Sequence, residues 1–138
     1  MVEIDDFFKS YESAAWHKDA GAMLDLYAED ALIFDMWNKG SYQNHSQWAD
    51  LISNWLNSLG QEKVKVNFEM VNIRQSGDVG FATAFIQFQA ISTEGVVLRS
   101  MKNRITLGFI KTDNAWKVIH QHTSAPISSK DLGAILDI

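Results

Sequence analysis

Cysteine is absent from the 138 residues, and proline occurs once, at Pro126. Without thiols the chain has no disulfide framework, no thiolate zinc site and no cysteine nucleophile, and a reducing cytoplasm is the expected location. The opening stretch Met1-Val-Glu-Ile-Asp-Asp6 has neither a basic nor an apolar signal region, so a secretory signal is not expected. No apolar run approaches the ~20 residues that a membrane helix requires, so no membrane partner is expected either. Positive charge is scarce: 12 Lys and Arg stand against 17 Asp and Glu, for a net charge of −5. The basic residues do not cluster, which argues against a nucleic-acid partner or an anionic lipid surface. A phosphate-binding glycine loop, a dinucleotide fingerprint and a serine elbow are also missing, so no cofactor is implied.

Aromatic residues, by contrast, are plentiful. Five Trp, eight Phe and three Tyr make up 12% of the chain. They build either a large aromatic core or, in part, the wall of a cavity for a small apolar or aromatic ligand. The length suits one domain spanning residues 1–138, and at this size about two-thirds of the unfolded surface is buried on folding.

The hydrophobic period changes once along the chain. Ile4, Phe7, Phe8, Tyr11, Ala14 and Ala15 recur at helical spacing. Asp19 is placed to cap a second short helix running to Tyr27. Ala31–Phe34 reads as a short strand ending at Asp35. A third helix over 46–59, capped by Asn44 or Ser46 and stopped by Gly60, carries Trp48, Leu51, Ile52, Trp55 and Leu56 on one side. From there the period is two. Segments 64–74, 79–92, 96–111 and 115–124 are rich in Val, Ile, Phe and Thr and are separated by tight turn signals, which predicts an antiparallel meander. Helices first and strands afterwards give an α+β class, with long strands that twist and curl around the helices. A short helix is expected in the tail, 127–138. Phe81 and Phe85 alternate with Ala82, Ala84, Ile86 and Phe88, so both sheet faces are apolar. One face meets the helices, and the other is expected to meet a second copy of the chain in a homodimer.

Two stretches carry a resemblance. Leu26-Tyr-Ala-Glu-Asp-Ala-Leu-Ile-Phe-Asp35, followed by a glycine-containing loop and a helix, resembles the nuclear transport factor 2-like superfamily. The closing stretch from Arg104 to Pro126, with Arg104, Thr106, Trp116, His122 and Ser124, resembles its SnoaL-like branch. The resemblance implies a cystatin-like cone, a strongly curved mixed or antiparallel sheet around a central pocket. The superfamily includes isomerases, cyclases, dehydratases, scaffolds and binding modules, so it does not by itself assign a reaction.

Candidate chemistry centres on Asp35, a carboxylate between Phe34 and Met36 with Trp37 close by. Partial desolvation there raises the pKa and favours a general base near neutrality; the alternative is a loop carboxylate accepting backbone N–H bonds. Ketosteroid isomerases place their proton-transferring aspartate eight residues after a tyrosine, as Asp35 follows Tyr27. Tyr11, sixteen residues before Tyr27, matches their oxyanion-stabilising tyrosine, although its place on the apolar stripe also suits a core aromatic. Those enzymes add a protonated acid from the penultimate strand, where this chain has Leu107. Loss of such a donor slows the reaction by about 10²-fold or more, so steroid isomerisation is not expected.

His120 and His122 project from one face of the last strand. They suit an acid–base pair, interface hydrogen bonding, or, with Asp35, a two-histidine, one-carboxylate metal site, although no third ligand at fixed spacing supports a metal. A regular hairpin around 112–115 pairs Lys111 with Trp116, Leu107 with His120 and Arg104 with Thr123. That puts Arg104 on the face of Gln121 and Thr123, and a single bulge reverses the assignment. An inward Arg104 binds a ligand carboxylate; an outward one pairs at an interface. Trp37, Trp48, Trp55, Phe68, Phe81 and Phe85 are candidate cavity walls, although each taken singly suits the core better. His17 and His45 are expected at the surface. Two functions follow. One is a SnoaL-like pocket protein catalysing cofactor-free isomerase- or lyase-type proton transfer on an apolar carbonyl compound. The other is a non-catalytic binding or assembly module resembling a kinase association domain.

Overall fold

A computed structural model describes residues 1–138. The N-terminal stripe forms α1 (Asp6–Trp16), which buries Phe7, Phe8, Tyr11, Ala14 and Ala15. Each large side chain so buried contributes on the order of 1.5–3 kcal/mol of apolar transfer free energy. A short α2 (Ala20–Leu24) follows, and the Asp19 carboxylate accepts the Ala22 N–H at 3.0 Å, as its capping position predicts. The first strand, β1 (Tyr27–Phe34), starts four residues earlier than the apolar run indicates. Glu29 and Asp30 belong to it despite their polarity because they point to solvent.

After β2 (Ser41–Gln43) comes α3 (Asn44–Asn57). Asn44 adopts a left-handed φ of +69°, and its side-chain oxygen accepts the N–H groups of Ser46 and Gln47. The helix buries Trp48, Ile52 and Leu56. The long strands β3 (Lys63–Ser76), β4 (Val79–Ile91), β5 (Val97–Thr112) and β6 (Ala115–Ser124) fall within two residues of the predicted boundaries.

The six strands form one sheet in the order β2-β1-β6-β5-β4-β3. The β3–β6 meander is antiparallel, and only β1 against β6 is parallel. The sheet is thus mixed, open and strongly curved. Bulges produce much of the curvature, because an extra residue bends the bulged strand and increases its twist. One lies at Met70 and Val71 in β3, with Met70 at φ +53°. A second occurs in β6, where Gly108 pairs with His120 but Phe109 pairs with Val118, leaving Ile119 unpaired. Gly80 is needed for close packing on the concave side. A Cβ there would lie 2.6 Å from Ile4 Cδ1 and 2.9 Å from the Arg74 carbonyl oxygen.

The expected tail helix does not form. Residues 125–138 turn back on themselves through a bridge between Ile127 and Ala134, and the Lys102 N–H donates to the Leu136 carbonyl at 2.7 Å. The tail thereby pairs with β5 where β6 has ended, and that edge pairing takes the place of helical hydrogen bonds. His45 is half-buried rather than superficial: its Nε2 bonds the Leu24 carbonyl at 2.9 Å and ties α3 to the end of α2. No helix is long and apolar enough to cross a membrane.

Candidate functional site

The concave side of the sheet and α3 enclose a cavity of about 720 Å³. Its walls are mainly apolar, from Trp48, Ile52 and Trp55 of α3 and Ile86, Phe88 and Ile105 of the sheet. Trp55 meets Phe88 edge to face at 5.8 Å. Trp37, 45% exposed, stands at the mouth, and Arg99 nearby is paired with Glu62 at 2.7 Å.

Asp35 enters this cavity from the first residue after β1. Its N–H donates to the Gly40 carbonyl at 2.9 Å, closing the 35–40 loop, in which Gly40 has a φ of +84°. Thr123 orients the carboxylate. Its hydroxyl accepts the Met36 N–H at 3.0 Å, so its own proton is directed to Asp35 Oδ1 at 3.2 Å. The other carboxylate oxygen receives only a long bond, 3.4 Å, from the Trp37 N–H. Burial raises the Asp35 pKa above the ordinary carboxylate range, and these two hydrogen bonds only partly oppose it. Desolvation therefore dominates over the two hydrogen bonds.

Tyr11 also lines the cavity, and its hydroxyl has no hydrogen-bond partner within the protein. Burial raises its pKa, and the nearby Asp35 charge raises it further, so the group is a neutral O–H donor at physiological pH. Tyr27 lies deeper and donates to Gln121 Oε1. That bond commits the oxygen of the Gln121 amide and leaves its NH₂ as a donor on the cavity wall.

Asn103, Gln121 and Thr123 were not singled out in the sequence, yet all three are buried polar residues on this wall. Asn103 was legible in principle. It shares the inward phase of β5 with Met101, Ile105, Leu107 and Phe109, and a lone amide in an apolar phase marks a polar group held inside. Gln121 and Thr123 were concealed by the bulge at Ile119, because a one-residue shift exchanges the two faces of a strand.

The same bulge corrects the expected hairpin register. Lys111 does pair with Trp116, but Leu107 pairs with Gln121 and Arg104 with Ser124. Arg104 therefore lies on the convex face, exposed, with its Nε donating to Ser124 Oγ at 3.2 Å. His120 and His122 are on that face too. His120 Nδ1 bonds the Leu32 carbonyl at 2.7 Å, and both rings pack edge-on against Phe34. Since Asp35 faces the cavity and the histidines face away from it, the three do not converge into a metal site. Phe85, opposite Arg104, and Phe81, opposite Gly108, are convex as well. Phe68 packs among Phe7, Phe8 and Tyr11 beneath α1, outside the cavity lining. Of the eleven residues proposed from sequence, the structure gathers Tyr11, Asp35, Trp37, Trp48 and Trp55 around the cavity.

A family model for the SnoaL-like domain matches residues 4–128. The chain belongs to that family. A search of the curated proteins finds no relative of this sequence. Among solved structures, this SnoaL-like chain is similar to an NTF2-like protein of unknown function from Pseudomonas putida KT2440. The identity is 18%, with 98% of this chain and 92% of the other covered, at a TM-score of 0.86. It is also similar to an NTF2-like protein with a cystatin-like fold from Novosphingobium aromaticivorans, at 17% identity over 94% and 84% of the two chains and a TM-score of 0.78. A third similar structure is a putative calcium/calmodulin-dependent protein kinase II association domain from Xanthomonas campestris, with 19% identity, 89% and 85% coverage and a TM-score of 0.75. Identities this low establish the shared fold, and the family supports a small-molecule pocket; the reaction must be argued from the site.

Proposed function

We propose that this SnoaL-like protein binds an apolar carbonyl compound and catalyses cofactor-free proton transfer at the carbon beside the carbonyl, in an isomerase- or lyase-type reaction. Asp35 is the base and Tyr11 the hydrogen-bond donor to the carbonyl oxygen. The supporting observation is a carboxyl group whose desolvation outweighs its hydrogen bonds, in one apolar cavity with an unpartnered phenol. A base of raised pKa takes a proton more effectively, and a fixed O–H stabilises the enolate oxygen as charge develops on it. Trp37, Trp48 and Trp55 supply the flat walls. His120, His122 and Arg104 have no part in this chemistry.

The test is exchange of the α-protons of 1-tetralone in D₂O, followed by NMR. The wild type should accelerate exchange over buffer, and Asp35→Asn should remove about 10²-fold or more of that acceleration. No acceleration by the wild type on a ketone shown to bind the cavity would leave the protein a binding module.

The convex face supports a second element of the reading, a homodimer. Phe34, Phe81 and Val79 are 38%, 50% and 56% exposed on that face. Apolar surface of this extent is commonly covered by another chain. In the dimer, His120, His122 and Arg104 lie at the interface as polar partners. Sedimentation of the wild type against Phe81→Glu tests this, with dissociation expected in the variant. An assembly without catalysis, as the name of the Xanthomonas association domain suggests for that protein, requires the convex face and leaves the Asp35 carboxylate idle.

A further inference from the structure

Buried amides are almost always hydrogen-bonded, and each exception requires a reason. Asn103 is such an exception. It is 2% exposed, and its Oδ1 is wholly buried without a partner. The residue lines the cavity from β5. Its neighbours in the sheet do not satisfy it. Ile86 lies directly across on β4, and Met101 and Ile105 are its same-face neighbours on β5. Thr123, the nearest polar side chain in the register, uses its hydroxyl on Met36 and Asp35.

An unsatisfied amide at this depth costs folding free energy and contributes nothing in return within the protein. Replacement by an apolar residue of similar size would remove that cost. The unpaired edge is therefore matched to something that enters the cavity. We propose that Asn103 is a ligand-recognition residue, and that the ligand carries, besides the carbonyl directed to Tyr11 and Asp35, a hydroxyl or N–H group that hydrogen-bonds the Asn103 amide. The ligand class narrows to apolar, ring-sized ketones bearing a second polar group besides the carbonyl. An amide suits this role better than a carboxylate, because it forms a hydrogen bond without bringing a second charge into the cavity that holds Asp35.

This inference rests on the cavity being a site for carbonyl compounds, and the probes separate the two ideas. Binding of 1-tetralone and of 6-hydroxy-1-tetralone is measured by quenching of tryptophan fluorescence, for the wild type, Asn103→Leu and Asn103→Ser. The wild type should prefer the hydroxylated ketone by about tenfold, the worth of one good buried hydrogen bond, and Asn103→Leu should bring the ratio close to one. Asn103→Leu should also melt at least about 3 °C above the wild type, because an unpaired buried polar group is gone.

A wild-type ratio near one, or a ratio unchanged in Asn103→Leu and Asn103→Ser, overturns the role of Asn103 while leaving the cavity reading intact. Loss of the preference in Asp35→Asn but not in Asn103→Leu assigns the hydroxyl to Asp35 and overturns it equally. Failure of both Asn103 variants to fold makes the residue structural and overturns it. Failure of the wild type to bind either ketone removes the cavity reading and this inference with it.

Discussion

The two faces of one sheet use similar residues for different ends. On the concave face, Ile86, Ile105 and Trp48 surround polar groups that the protein leaves partly unpaired: the Tyr11 hydroxyl, the Asn103 amide and one oxygen of Asp35. On the convex face, Phe34, Phe81 and Phe85 accompany polar groups that already have partners, His120 on the Leu32 carbonyl and Arg104 on Ser124. Unpaired polar groups within an apolar enclosure are poised for a ligand. Paired ones on an exposed apolar surface suit a protein interface, where position rather than reactivity matters.

Perturbing one face should therefore leave the function of the other intact. The largest effect is expected for Asp35→Asn, with α-proton exchange reduced about 10²-fold or more and the sedimentation coefficient unchanged. The stability of this variant carries a sign. The folded protein raises the Asp35 pKa, so it holds that proton more tightly than the unfolded chain does. The contribution of Asp35 is most favourable below the ordinary carboxylate range and declines as pH rises through that range to the raised folded value. Asp35→Asn should accordingly melt higher than the wild type at neutral pH and lose that advantage in acid, as a pH series of melting curves would show.

Phe81→Glu comes next. It should shift sedimentation from dimer to monomer while 1-tetralone binding persists. A pair of glycine substitutions sharpens the contrast in packing. Gly80→Ala places a methyl 2.9 Å from the Arg74 backbone oxygen and should destabilise by about 1–3 kcal/mol in urea unfolding. Gly108→Ala, on the convex face, meets nothing closer than His120 Cβ at 3.5 Å and Ile119 Cγ2 at 3.7 Å, and should stay within about 0.5 kcal/mol of the wild type. Tyr11→Phe should slow exchange by about tenfold with little change in ketone affinity. His122→Ala should be the mildest change, with exchange unaffected.

The fold was largely legible because its signals are local and redundant. The stripe from Ile4 to Ala15, the Asp19 cap and the turns at Gly77 and Gly95 each specify one element without reference to the others. The candidate site was only half legible. Asp35, Tyr11 and the tryptophans could be named because their types and spacings are unusual. The faces of Arg104, His120 and His122 depend on a single unpaired residue, Ile119, which no periodicity marks. Gln121 and Thr123 were missed for that reason, and Asn103 because β-propensity directs attention to the residues around it. The tail departs from a helix because Ile135 bonds Pro126, Ser128 bonds Gly133 and Leu136 bonds Lys102, contacts that no helical period marks.

The most direct test of the central claim is a carbon-13 NMR titration of the Asp35 side-chain carboxyl in the otherwise native protein, with Asp35→Asn used for assignment. The account expects a midpoint above the ordinary carboxylate range, moving higher still when 1-tetralone fills the cavity and expels water. A midpoint at or below the ordinary aspartate value, unmoved by the ketone, would contradict it.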